Sequence, residues 1–196
     1  IYVFRVIYAG ALSVRKGIHH LARAFRAANI SASELLLVGG PSPETDQLIG
    51  DNTAGIRRVG HVPQAELPGL YQTASVFSMA SLEEGQAYVQ AQALACGLPL
   101  ICTTNTGGED FLAMSGAGVV RESGVTEYPA GYLVPAGDSG AMGLALRALA
   151  TDRALLLAKQ AAAARLAERD LSWARYAEAN LGAYRQLMMK SPHSES

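Results

Sequence analysis

Unbroken apolar runs alternate with segments of helical periodicity along most of the chain. Continuous apolar runs are typical of parallel strands that helices cover on both faces. The run at 35–38 is unbroken, and it predicts a strand together with less regular runs at 4–9, 55–62, 76–79, 99–103 and 131–134. Strands and helices in alternation predict an α/β fold, with a doubly wound parallel sheet of about six strands followed by C-terminal helices.

Helical spacing of apolar residues predicts the segments between the strands. The predicted helices are 17–28, 44–48, 64–74, 86–96, 139–150, 153–169 and a last one that begins after Ser172 as its N-cap. The last helix carries an apolar stripe of Trp173, Tyr176, Ala177, Leu181, Tyr184, Leu187 and Met188. The polar run within 116–131 predicts a loop. We expect one domain over 1–190 and a frayed tail over 191–196.

Composition and charge argue against some classes of protein and favour others. The chain has 196 residues, of which 49% are hydrophobic and 17% charged, which suits one globular domain or one half of a two-domain protein. Its net charge of -1 and its lack of a long basic run argue against a nucleic-acid surface. Neither a membrane span nor a signal peptide is predicted. Because the chain begins at Ile1, inside a strand pattern, it is interpreted as an excised domain.

The cysteines and histidines give no sign of a disulfide framework or a metal site. Cys96 and Cys102 both lie in apolar surroundings, which favours a reducing, cytoplasmic setting. His19, His20 and His61 lack the spacing to other ligands that a zinc site needs. We therefore expect no bound metal.

The segment 81–110 carries the first candidate chemistry. Gly97 and Pro99 end the helix predicted for 86–96, in the way that Gly and Pro usually do. Its first backbone N–H groups, near Gln86, Ala87 and Tyr88, form a natural seat for a phosphate or diphosphate. Glu84 at this helix start either binds a neutral group such as a hydroxyl or is simply a favourable charge.

The loop from Gly10 to Gly17 is the second candidate. It follows the first strand, at the sheet edge where α/β folds bind ligands. It contains neither the G-x-G-x-x-G of dinucleotide-binding folds nor a P-loop. Arg15 and Lys16 are interpreted either as solvated surface charges or as ligands for the same phosphate.

The segment 81–110 resembles the donor-site signature of retaining glycosyltransferases of family 4, which have the GT-B fold. Nearly the whole chain shares the resemblance, through LLLVGG at 35–40, VGHV at 59–62 and GYLVPAGD at 131–138. The resemblance implies the C-terminal, donor-binding half of such an enzyme, a Rossmann-like domain. It implies transfer of a hexosyl group from a nucleotide diphosphate sugar, such as a UDP- or GDP-sugar, with retention of configuration and without a cofactor or metal.

The resemblance also implies roles for individual residues. Glu84 corresponds to the Glu that holds the hydroxyls of the donor sugar, and Gln92 stands where a second Glu holds the ribose. The diphosphate would lie between them, against Gly85 and the helix start. Lys16, after Gly10, matches the Lys that stabilises the leaving diphosphate in an oxocarbenium-like transition state.

The chain departs from this signature at four positions. Besides Gln92, Ala11 stands where an Arg is expected, and Gln86 and Ala87 replace Phe and Gly. Arg15 is a candidate substitute for the missing Arg.

These departures leave two alternatives open, a non-catalytic relative that acts as a binding or scaffold domain, or a nucleotide-sugar epimerase. For a transferase, the acceptor, a glycan, lipid or small molecule, would bind to an N-terminal half. The chain alone is then expected to bind the donor without turnover and to self-associate through its last helix. The intact protein is expected in the cytoplasm, with a peripheral position at the inner membrane face left open.

Overall fold

A computed structural model describes residues 2–40 and 42–190. The strands are β1 (Phe4–Ala9), β2 (Ser33–Val38), β3 (Ile56–Gly60), β4 (Val76–Met79), β5 (Leu100–Thr103), β6 (Val119–Val120), β7 (Thr126–Tyr128) and β8 (Gly131–Val134). The helices are α1 (Ile18–Ala28), α2 (Pro43–Ile49), α3 (Leu67–Tyr71), α4 (Tyr88–Ala95), α5 (Gly108–Met114), α6 (Ser139–Thr151), α7 (Arg153–Asp170) and α8 (Trp173–Lys190). The tail predicted at 191–196 lies outside the described residues.

The strands form one sheet in the order β3-β2-β1-β4-β5-β8-β7-β6. The first six of them run parallel. The α/β fold with a Rossmann-like, doubly wound parallel sheet is therefore confirmed. The strands β4 and β8 have the predicted bounds, because both are buried and read as continuous apolar runs.

The polar run predicted as a loop within 116–131 differs from its prediction. It contains the strand β7, which pairs antiparallel with β8 and with β6 just before the run, and these two strands extend the sheet beyond β8. These strands have two and three residues, too few to show a period in the sequence. The Glu127 carboxylate stabilises them, since it pairs with Arg121 at 2.8 Å and with the buried Lys159 at 3.0 Å.

Helices cover both faces of the sheet. α1 packs against α2 and α6, whereas α4 packs against α3 and α7. Starting from β1, the strands β2 and β3 are added on one side of the sheet, whereas β4 and β5 are added on the other side. Because crossovers between parallel strands are right-handed, α1 and α4 lie on opposite faces. The loops after β1 and β4 are thus neighbours at the carboxyl edge, where α/β sheets bind ligands.

Two predicted helices have different bounds. The helix predicted over 86–96 is α4, which begins only at Tyr88, because the backbone of Ala87 is extended. The helix predicted over 64–74 is a 3-10 turn, Gln64–Glu66, followed by α3. At α8 the N-cap prediction is confirmed, since the Ser172 hydroxyl accepts a hydrogen bond from the Arg175 N–H at 3.2 Å.

The apolar stripe of α8 is exposed. Trp173 is 75% exposed and Met188 is 78% exposed. Trp173 lies against Tyr88 of α4, with ring centroids 6.3 Å apart, and against Tyr176, at 5.9 Å. The side chain of Leu187, assigned to the same stripe, lies outside what is described. Across residues 2–40 and 42–190, none of the helices is both long and apolar enough to cross a membrane.

Candidate functional site

The loop after β1 (10–17) and the loop after β4 (80–87) contact each other at the carboxyl edge. The Leu82 N–H donates to the Arg15 carbonyl at 2.9 Å, and Arg15 Nη1 donates to the Glu83 carbonyl at 2.9 Å. Gly17 allows this close approach. Its φ is 64°, and a Cβ there would overlap the Ala80 carbonyl oxygen. The two loops named as candidates from the sequence are therefore brought together.

Lys16 and Glu84 form an ion pair between these loops. Their side chains are only 15% and 16% exposed. Arg15, whose side chain is 57% exposed, approaches the same Glu84 Oε2 at 3.4 Å. Burial and the neighbouring Arg15 guanidinium lower the pKa of Lys16 from its ordinary value. Two cations thus share one carboxylate, which leaves this point of the site with a net positive charge.

Two clefts open on either side of the start of α4. Cleft A has a volume of about 570 Å³ and is lined by Leu82, Glu83, Glu84, Gly85, Gln86, Asn105, Gly107, Glu109 and Asp110. Cleft B has a volume of about 620 Å³ and is lined by Ala9, Gly10, Ala11, Val38, Gly39, Gly40, His61, Val62, Gln64, Leu67, Tyr88, Val89 and Gln92. Cleft A is acidic, whereas cleft B is mostly apolar.

The N-terminus of α4 lies where the two clefts meet. Gly85 and Gln86 line cleft A, and Tyr88 lines cleft B. Because α4 begins two residues later than predicted, the N–H groups of its first turn start at Tyr88, not at Gln86. The N-cap, Ala87, has no side chain that could accept a hydrogen bond from them. A helix N-terminus of this kind is suited to an anion. Glu84, the partner of Lys16, lies four residues before Tyr88.

Gln92 faces cleft B one turn into α4. Its Oε1 is buried and has no hydrogen-bond partner among the described residues. Gly10 and Ala11 line the same cleft from the β1 loop. A neutral amide beside these small residues can accept or donate a hydrogen bond to a hydroxyl. The structure therefore brings Gln92 close to the other candidate residues without a competing internal partner.

The loop after β5, which belongs to the segment 81–110 of the family resemblance, forms a third wall. The Asn105 carbonyl accepts a hydrogen bond from the Glu84 N–H at 2.9 Å. The Glu109 carboxylate in turn accepts from the N–H groups of Asn105 and Thr106, at 3.1 and 3.3 Å. Glu109 stands in the first turn of α5, where a negative charge is favourable. Its position directly after the Asn-Thr-Gly-Gly sequence was the feature that could have indicated these hydrogen bonds to the turn.

Gln90 connects this wall to α4. It is fully buried, and its Nε2 donates to the Thr106 carbonyl at 2.9 Å. Gly107, with a φ of 70°, lets the turn approach α4, since a Cβ there would come within 2.7 Å of the Gln86 Cα. A buried Gln in an alanine-rich helix is the signal that could have identified this contact.

The histidines serve other contacts. The rings of His19 and His20 lie 4.2 Å apart, and His20 Nδ1 lies 3.2 Å from the Ser139 hydroxyl. Burial lowers the pKa of both imidazoles, and the nearby Arg23 lowers it further. His61 lines cleft B. Among residues 2–40 and 42–190, no three His, Cys, Asp or Glu side chains are grouped to hold a metal ion.

The fold and the site define an α/β protein with a helix start and a lysine–carboxylate pair at its topological switch point. Residues 3–152 match the glycosyl transferases group 1 family, and the chain belongs to this family.

Individual relatives agree with this assignment. The chain is 27% identical to the O-antigen chain mannosyltransferase B of Escherichia coli, over 92% of this chain and 45% of that protein. Among solved structures, it resembles the sucrose-phosphate synthase of Thermosynechococcus elongatus with a TM-score of 0.73 and 26% identity, over 96% of this chain and 46% of that one.

A third similarity concerns the fold alone. The Anabaena protein HepE, solved in complex with UDP and glucose, has a TM-score of 0.68 and 20% identity, over 85% of this chain and 44% of its own. The chain spans less than half the length of all three proteins.

Proposed function

We propose that the chain is the donor-binding part of a retaining glycosyltransferase and binds a nucleotide diphosphate sugar across clefts A and B. The observation that carries this proposal is the Lys16–Glu84 pair beside the start of α4, where the two clefts meet. An ammonium and a helix N-terminus suit a diphosphate, and a carboxylate suits sugar hydroxyls.

The two clefts support one orientation of the donor. The nucleoside occupies the more apolar cleft B, with Gln92 accepting a hydrogen bond from the ribose. The diphosphate lies over the first turn of α4, next to Lys16. The sugar then enters cleft A, where Glu84 accepts hydrogen bonds from its hydroxyls. Bound UDP and glucose in the Anabaena protein of the same fold support a nucleotide sugar as the donor class.

Lys16 contributes electrostatic stabilisation in the proposed transfer. The bond from the sugar C1 to the diphosphate oxygen breaks, and negative charge builds up on the leaving diphosphate. Cations already held in a partly buried site stabilise this charge more than water does. Arg15 adds to the positive potential from a more exposed position. Glu84 orients the sugar, and the acceptor binds through a further part of the protein.

Calorimetric titration of the full-length protein with UDP, GDP and ADP tests the proposal. We expect at least one of these nucleotides to bind. Lys16→Ala should weaken that binding by about 1.5–3 kcal/mol, the usual contribution of a hydrogen bond to a charged group. Arg15→Ala should weaken it less, because the Arg15 side chain is 57% exposed, against 15% for Lys16.

A matched control is Arg165→Ala, which removes an exposed cation of α7 outside both clefts. It should leave nucleotide affinity unchanged. Equal affinities of the wild type and Lys16→Ala would remove the β1 loop from the site.

A non-catalytic relative is the second candidate function. Ala11, Gln92 and the pair Gln86 and Ala87 favour it, since these four positions depart from the family signature. Such a protein would bind none of the three nucleotides. The same titration therefore separates the two functions.

A further inference from the structure

The Lys16–Glu84 pair implies competition inside the site. Without a ligand, the Lys16 ammonium is already bound to the Glu84 carboxylate. Both side chains are mostly buried, so their charges depend on each other more than exposed charges do. An anion that arrives at the start of α4 therefore meets a lysine that already has a partner.

When Lys16 binds a diphosphate, its ammonium no longer fully neutralises the Glu84 carboxylate. The remaining cation, Arg15, lies 3.4 Å from Glu84 Oε2 and is largely exposed. The backbone of Glu84 is held in place, because its N–H donates to the Asn105 carbonyl at 2.9 Å. A partly buried carboxylate left without its close cation is unfavourable, and it also repels the phosphate charge.

An intact nucleotide sugar compensates for this loss, whereas a nucleoside diphosphate does not. Sugar hydroxyls in cleft A donate hydrogen bonds to the Glu84 carboxylate and replace the ammonium as its partner. The nucleoside diphosphate that remains after transfer leaves cleft A without such donors. The cost of leaving Glu84 without its cation therefore weakens binding of the nucleoside diphosphate product but not of the intact nucleotide sugar.

We propose that Glu84 competes with the diphosphate for Lys16, so that the site discriminates against the nucleoside diphosphate product and favours its release. This inference rests on the proposed function and adds a role for Glu84 besides holding the sugar. It makes Glu84 a residue that sets specificity between donor and product.

Glu84→Gln tests the inference, since it removes the charge and keeps the shape. Calorimetry on the full-length protein, with the nucleoside diphosphate that the wild type binds, should show an affinity about threefold to tenfold higher in the variant. Affinity for the matching nucleotide sugar should rise less or fall. Loss of a sugar contact alone would not increase affinity for a ligand that has no sugar.

Two further variants make the test specific. In a Lys16→Met background, Glu84→Gln should increase affinity for the nucleoside diphosphate by a smaller factor than in the wild-type background, because only the direct repulsion is relieved and no ammonium is left to compete for. Glu83→Gln removes a neighbouring carboxylate that also lines cleft A, although its side chain does not contact Lys16. This control should change affinity by less than about twofold, as expected of an exposed charge.

The outcomes are distinguishable. Unchanged or lower affinity of Glu84→Gln for the nucleoside diphosphate overturns the competition, while the proposed function stands as long as the wild type binds nucleotide. A wild type that binds no nucleotide overturns both. Glu84→Ala should change the affinity in the same direction as Glu84→Gln and provides a second variant should one of them fold poorly.

Discussion

Gln92 is the residue whose chemistry departs most clearly from the family signature. It faces cleft B, and its amide oxygen has no partner among the residues described. As a ribose ligand, an amide can accept only a neutral hydrogen bond. Charge-assisted hydrogen bonds are roughly twice as strong as neutral ones. Gln92 therefore has an amide oxygen free to accept a hydrogen bond in the proposed nucleoside site, but it should bind ribose less tightly than a Glu would.

Restoring the carboxylate with Gln92→Glu should tighten nucleotide binding by about 1 kcal/mol. The gain should be smaller for a deoxyribonucleotide, which lacks one of the two vicinal hydroxyls. Calorimetry with both nucleotides measures the difference, and circular dichroism checks that the fold is unchanged.

Gln64→Glu is the matched control, because it adds the same charge to the lining of the same cleft from another element. It should not reproduce the preference for ribose. A folded Gln92→Glu variant with unchanged or lost affinity would exclude position 92 from a working ribose site. It would favour the non-catalytic relative.

At the scale of elements, the site depends on the distance between the two loops at the carboxyl edge. Gly17 is the N-cap of α1 and has a φ of 64°. A side chain there would both strain the backbone and overlap the Ala80 carbonyl. Lys16 directly precedes this glycine, so any shift of the loop displaces the ammonium from Glu84.

Gly17→Ala should therefore destabilise the fold more than a positive φ alone explains. A non-glycine residue in the left-handed region costs about 1–2 kcal/mol. Gly97 is the comparison position, since its φ is 76° and a Cβ there would meet only the Ala164 Cβ, at 4.0 Å. We expect Gly97→Ala to lower the free energy of unfolding by about that amount, and Gly17→Ala to lower it by at least about 1 kcal/mol more.

Urea unfolding of both variants measures this difference. The same two proteins can be titrated with nucleotide, and only Gly17→Ala should bind it more weakly. Equal losses of stability at Gly17 and Gly97 would contradict the close contact between the loops.

At the scale of the whole molecule, the most conspicuous surface is the exposed aromatic cluster of Tyr88, Trp173 and Tyr176. These side chains are 65%, 75% and 57% exposed and contact one another. Monomeric proteins rarely leave large contiguous apolar patches open to water. The cluster also adjoins cleft B through Tyr88. It is therefore a candidate surface for association.

We expect the 196-residue chain to self-associate as its concentration rises, and the double variant Trp173→Ser, Tyr176→Ser to remain monomeric at the same concentrations. Aromatic side chains bury large areas in contacts, so their removal should weaken association strongly. Sedimentation velocity measures the change.

Leu157→Ser is the control, since Leu157 is 49% exposed but lies on α7, outside the aromatic cluster. It should not alter the association. A wild-type chain that stays monomeric at high concentration would contradict the prediction.

Local patterns in the sequence determined the α/β class and the six parallel strands. Buried parallel strands are continuous apolar runs, so β4 and β8 could be located within the sequence alone. The Ser172 cap could be predicted as well, because capping involves residues only three apart. The roles of Lys16 and Glu84 were implied by the resemblance of short motifs and remain predictions.

Only the tertiary structure decided which of these residues meet. Lys16 and Glu84 are 68 positions apart in the chain. They meet because β1 and β4 are neighbours in the sheet, so the loops that follow these two strands lie side by side. The later start of α4 follows from the extended backbone of Ala87. The loop before it is held by a hydrogen bond from the Glu84 N–H to the Asn105 carbonyl, which no local pattern contains. The strands β6 and β7 likewise depend on partners elsewhere, such as Lys159. Local propensity acts over a few residues, whereas these features depend on contacts between distant segments, which form only when the chain is packed.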